Sequence, residues 1–161
     1  MRRIDYPPDV LRRIAAEAES DPEREVCGFV VRRADGTLEV APVRNALGDG
    51  AAGLPLPRSA RNGYLADPAE HLRLERRLRE EGGAVVAAYH SHVDGPATFS
   101  RTDEELALVD GSPVLPGTDY VVVGLSSGTV REVRVFTWNG RRFEGWEAPV
   151  PGRLDAARHA R

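Results

Sequence analysis

The sequence predicts a single α/β domain of the α+β kind, in which a mixed β-sheet is flanked by helices. Three observations carry this reading. Apolar residues recur at helical spacing in two stretches. Short apolar runs of strand length lie between and after them. Tight-turn dipeptides join several of those runs into hairpins. The 161 residues, 41% hydrophobic and 29% charged, suit one globular domain with a core of useful size.

The elements follow in order. Residues 8–19 put Val10, Leu11, Ile14, Ala15 and Ala18 on one helical face, and Pro8 suits a first helical turn. Ser20 and Pro22 break the pattern. Residues 26–33 form an apolar strand ending in charge, Asp35-Gly36 a tight turn, and Thr37–Val43 the returning strand. Residues 44–63, rich in Gly, Pro and Ala, read as a long loop, and long loops in compact domains often carry function. A second helix is expected over Pro68–Glu81, capped by Asp67, ended by Gly82-Gly83, and burying Leu72 and Leu78. Ala84–His90 reads as a buried strand and Ser91–Arg101 as a polar loop. Thr102–Val109 should be a short helix opened by a capping box of Thr102 and Glu105. Three strands, Tyr120–Leu125, Val130–Thr137 and Arg141–Trp146, then form a meander through Ser127-Gly128 and Asn139-Gly140. The domain is expected over residues 1–148, with 149–161 a frayed tail.

Composition narrows the function classes. A net charge of −3 without a basic stretch argues against nucleic acid. No apolar run approaches the roughly 20 residues that span a bilayer. The start, MRRIDYPPDV, lacks an apolar export core. Cys27 is the single cysteine, which excludes an internal disulfide and fits a reducing cytoplasm. All 22 basic residues are arginine, most simply the mark of a GC-rich genome. Oligomeric state is not readable.

The chemistry centres on His90 and His92. Two residues apart at a strand end, they project from one face, because strand side chains alternate. Two imidazoles on one face are a natural start for a zinc site, which needs a third ligand and, if catalytic, an open fourth position. Asp103 is the best candidate, eleven residues past His92 at the start of the next helix. Ser100-x-x-Asp103 could itself cap that helix, but Thr102 and Glu105 can take that task and release Ser100 and Asp103 for other work. Cys27 in an apolar strand beside Gly28 reads as a packed thiol rather than a nucleophile served by His90. His71 and His159 read as surface residues.

In composite, these residues resemble a known family. His90-Ser91-His92, seven residues, Ser100, two residues and Asp103 match the full spacing of the JAMM motif of MPN-plus metallopeptidases. Glu25-Val26-Cys27-Gly28 resembles the family's Glu-x-Cys-Gly at its first core strand, and the similarity covers roughly residues 5–147. One departure is Val93 where many relatives carry Pro; here the proline is Pro96. The resemblance implies a cytidine-deaminase-like three-layer fold and one zinc ion (Zn2+) per chain on His90, His92 and Asp103. Glu25 would serve as the proton carrier for the attacking water, and Ser100 would hydrogen-bond the oxyanion. The compact length resembles bacterial members, which implies a ubiquitin-like or sulfur-carrier protein with a Gly-Gly tail as substrate. Other zinc enzymes fit worse: there is no HExxH, one cysteine excludes the Pro-Cys-x-x-Cys of nucleobase deaminases, and no basic module supports a RadC-like DNA-associated relative. The alternative of another class is a non-catalytic MPN scaffold that binds a protein partner; such relatives usually lack a motif residue, and none is missing here.

Overall fold

The computed structural model describes residues 4–47 and 59–152. Among them the chain forms α1 (Pro8–Ser20), β1 (Cys27–Arg32), β2 (Leu38–Val43), α2 (Pro68–Glu81), β3 (Ala84–His92), α3 (Arg101–Ala107), β4 (Leu108–Val109), β5 (Ser112–Pro113), β6 (Asp119–Ser126), β7 (Thr129–Trp138) and β8 (Phe143–Ala148). This is the mixed, helix-flanked sheet that the sequence predicts. A six-stranded sheet runs in the order β2-β1-β3-β6-β7-β8. The central strands β3 and β6 are parallel; their other neighbours pair antiparallel.

Three layers result. On one face α1 buries Val10, Leu11, Ile14, Ala15 and Ala18, as its periodicity predicts, against Val30, Tyr89, Val121 and Val123. On the other, α2 and the end of α3 cover Phe29, Val31, Ala88, Tyr120 and Val122. The alternation along β6 therefore sorts odd residues to one core and even residues to the other. With both faces covered, β6 is buried over all but its last residue, which explains its near-continuous apolar run. The hydroxyl of Tyr6 and that of Thr137 both donate to the buried Asp119 carboxylate, at 2.8 and 2.6 Å, and tie the segment before α1 to β6 and β7.

Several details differ from the sequence reading. In α2, Leu74 and Leu78 are buried, whereas Leu72 is 52% exposed. At about 100° per residue, Leu74 lies about 40° from Leu78 around the helix, but Leu72 lies about 120° away and off the buried stripe. His71 shares that stripe; it is partly buried and stacks on Phe29 with ring centroids 4.4 Å apart, so it is no surface residue. The stretch after α3 holds a small hairpin, β4–β5, turning at Asp110-Gly111, whose φ values are 49° and 74°. The strand of the two histidines runs on through His92. Of the expected tail, Val150 still packs against the α1-side core, while 153–161, with His159, and loop residues 48–58 lie outside the described residues.

The Leu72 correction has a direct test. Leu74→Ala should cost about 2–5 kcal/mol, as buried leucine truncations do, whereas Leu72→Ala should stay within about 0.5 kcal/mol of wild type. Urea denaturation of both variants measures the difference.

Candidate metal centre

The site forms where β3 leaves the sheet. His90 and His92 extend from the face that α2 and α3 cover. His90 is fully buried, and the His92 side chain keeps 15% exposure. Their Nε2 atoms are 3.1 Å apart, and Asp103 Oδ2 lies 3.3 Å from the first and 3.4 Å from the second. Zinc bonds of about 2.0–2.1 Å in a tetrahedron put neighbouring donor atoms about 3.3–3.4 Å apart. The three atoms thus match one face of such a tetrahedron, and the donor set fits the ion.

The ring orientations agree. His92 Nδ1 lies 2.8 Å from the Pro96 carbonyl, which can only accept. Nδ1 therefore carries the proton, and the Nε2 lone pair turns to the cluster, as ligand histidines generally require. His90 is held differently. Its Nδ1 has no hydrogen-bond partner among the described residues, and its ring is fixed by burial and by Tyr64, stacked on it at 4.4 Å.

The charges follow from these contacts. Burial pushes His90 below its ordinary value, against the pull of the Asp103 carboxylate. For His92, burial is outweighed by Asp103, the Pro96 carbonyl and Glu25, and its value rises. Burial opposes ionisation of Asp103, but the two imidazoles and the Ser100 amide prevail and hold it well below the usual carboxylate range.

Asp103 reaches this point through the start of α3. Ser100 is the helix N-cap: its Oγ accepts from Asp103 N–H at 3.1 Å, and Asp103 Oδ2 accepts from Ser100 N–H at 2.8 Å. The capping box is therefore Ser100–Asp103, not Thr102–Glu105, and Thr102 lies inside the first turn. Both pairs satisfy the sequence rule, but a start at Arg101 lets one carboxylate oxygen serve the helix and face both imidazoles. The loop from β3 to this cap is anchored by Phe99, whose ring lies 4.9–5.2 Å from those of Tyr120, Phe136 and Phe143.

Glu25 is buried at 7% exposure, two residues before β1. Cys27 pairs with His90 in the antiparallel register, so continuing the count sets Glu25 level with His92. Beyond the strand, Ser91 N–H donates to the Val26 carbonyl at 3.0 Å, and Ser91 Oγ accepts from Val26 N–H at 2.8 Å. Asn45 Nδ2 donates to the carbonyls of Glu25 and Gly63, and its Oδ1 accepts from the amides of Leu47 and Leu65. Sequence reasoning missed Ser91 and Asn45. A small polar residue between two histidines and an asparagine after a strand carry no mark of being buried and fully bonded. The Cys27 thiol is buried and pushed up to about 12, first by burial and then by Glu17, Glu25 and Glu70, in keeping with a packed, unreactive role.

Glu25, His92, Ser100 and Asp103 share a cleft of about 500 Å³, walled on its apolar side by Leu47, Leu65, Val93 and Leu106. No helix among the described residues is long and apolar enough to cross a membrane.

Residues 7–139 match the family of prokaryotic homologues of the JAB domain. A probable TtuB-protein conjugate cleaving protease of Thermus thermophilus is 41% identical over 71 residues, 42% of this chain and 48% of that protein. The chain thus aligns with about half the length of that relative. A solution structure of a protein from Desulfitobacterium hafniense superposes with a TM-score of 0.62 at 23% identity over 88% of each chain. One from Salinibacter ruber gives 0.55 at 24% identity, covering 92% of this chain and 94% of that one. At these identities the two structures share the fold.

The cap assignment can be checked through stability alone. Ser100→Ala should lower unfolding stability by about 1 kcal/mol, and Ser100→Gly by only a few tenths. Denaturant unfolding gives both values.

Proposed function

The chain belongs to the family of prokaryotic homologues of the JAB domain, and from that premise we propose a zinc peptidase of the JAMM type. It hydrolyses a peptide or isopeptide bond after the C-terminal glycine of a ubiquitin-like or sulfur-carrier protein. The observation that carries this reading is the triangle of His90 Nε2, His92 Nε2 and Asp103 Oδ2, 3.1–3.4 Å on each side. These residues would hold one zinc ion per chain. Bound zinc supplies a water activated near neutral pH and polarises the scissile carbonyl.

The chain's own residues do the rest. Glu25, in the same cleft and level with His92, accepts a proton from the attacking water and returns it to the leaving amine. Ser100 Oγ already accepts from Asp103 N–H, so its own proton is free to donate to the developing oxyanion. Access favours a slim chain: the His92 and Asp103 side chains are 15% and 7% exposed. A Gly-Gly tail lying along the apolar wall meets that limit, and the name of the Thermus thermophilus relative supports a carrier-protein conjugate as substrate. The non-catalytic scaffold finds one supporting fact, since the Ser100–Asp103 box accounts for half the motif without a metal. Zinc content decides between the two.

Wild type should hold about one zinc per chain, and His92→Ala or Asp103→Ala should lose most of it. Glu25→Gln should keep its zinc and melting temperature while turnover falls at least about 10²–10⁴-fold. Elemental analysis and mass spectrometry of carrier-protein fusions read these outcomes. Loss of zinc in Glu25→Gln would make Glu25 a ligand. Equal cleavage when the penultimate Gly becomes Val would remove the Gly-Gly specificity.

A further inference from the structure

The Pro96 carbonyl that accepts from His92 Nδ1 belongs to a segment packed on β6 and bonded to β7. The segment Gly95-Pro96-Ala97 lies across β6 at Gly124, the residue paired with His92 across the parallel β3–β6 ladder. A Cβ on Gly124 would stand 2.6 Å from the Gly95 oxygen, 2.8 Å from the Ala97 nitrogen and 3.0 Å from the Pro96 carbonyl carbon. These are backbone atoms with no room to yield, so the absence of a side chain at position 124 sets how closely the segment can approach. One strand further out, Glu132 pairs with Gly124. Its carboxylate accepts the Ala97 N–H at 2.8 Å, and Ala97 is fully buried. The segment is thus pressed down at one point and tied at the next. The carbonyl between them, that of Pro96, accepts from His92 Nδ1.

We propose that Gly124 and Glu132 are positioning residues for His92: through the Pro96 carbonyl they fix its ring with Nδ1 protonated and Nε2 turned to Asp103 and His90. The inference rests on the reading of His92 as a zinc ligand. A backbone acceptor on the second nitrogen of a ligand histidine fixes tautomer and ring angle, and losing it typically weakens metal binding about 10–100-fold. Here the acceptor belongs to a segment whose position Glu132 and Gly124 determine.

The test uses the full chain with histidine nitrogens isotope-labelled. Long-range proton–nitrogen spectra, recorded at a pH where the imidazoles are neutral, report the His92 tautomer without metal. Competition with a chromogenic chelator reports zinc affinity. Wild type should show the Nδ1–H form. Glu132→Ala should show a mixture of tautomers and bind zinc about 10–100-fold more weakly. Glu132→Gln keeps an oxygen for the Ala97 N–H and should restore both readings. Gly124→Ala should act like Glu132→Ala, and if it fails to fold the Glu132 pair still decides. A loss of general stability alone would not move the tautomer. Wild-type tautomer and wild-type affinity in Glu132→Ala would overturn the proposal. If wild type binds no zinc, the metal reading fails, and the spectra of wild type and Glu132→Ala still decide the positioning role.

Discussion

The rest of the structure depends on a triangle of two imidazole nitrogens and a carboxylate oxygen held 3.1–3.4 Å apart. Neighbouring elements hold it from several sides. Strand β3 supplies two side chains on one face. The first turn of α3 delivers the carboxylate. Tyr64 covers His90, and the Pro96 carbonyl turns His92. Each holding contact comes from a different part of the chain, so the site is a property of the assembled sheet and not of any one loop.

The sheet also explains how Glu25 comes to the same place. Its distance in sequence from the histidines is bridged by the antiparallel β1–β3 register, which Ser91 extends past the formal end of β1. Three hydrogen bonds of the Asn45 side chain then join the backbone of Glu25 to the segment that carries Tyr64. Glu25 and the ring that covers His90 are therefore held by one buried amide. Such a fully bonded group is rigid, and leaving any of its partners unpaired would cost more than the bond contributes.

Local pattern was enough to read much of this. The period of two placed His90 and His92 together, and the period of 3.6 placed the buried face of α1. Turn dipeptides located the hairpins of the main sheet to within a residue or two, but Asp110-Gly111 was not read as the turn of β4–β5. What was not legible shares one cause, namely that it depends on partners distant in sequence. Leu72 and Leu74 are equally apolar, and only the seat of α2 on the sheet selects between them. Thr102 and Ser100 both satisfy the capping rule, and only the tertiary setting of α3, with Phe99 packed on the sheet and Asp103 facing the imidazoles, selects between them. Glu132 reads as one more solvated charge until its bond to Ala97 is seen.

The double duty of Asp103 bears on how such motifs are to be read across sequences. One carboxylate oxygen accepts the Ser100 amide and faces the histidines, so an orderly helix start and a metal centre of the proposed kind would each call for the same two letters. A related chain without hydrolytic activity could carry other residues in place of both imidazoles and still keep Ser and Asp three residues apart, because its helix would need them. The serine and aspartate of the signature are therefore weak witnesses to catalysis when they stand alone. His90 has no comparable structural excuse: a fully buried imidazole whose Nδ1 has no hydrogen-bond partner among the described residues is a burden that a scaffold has every reason to shed. The two halves of the motif should decay at different rates, His90 first.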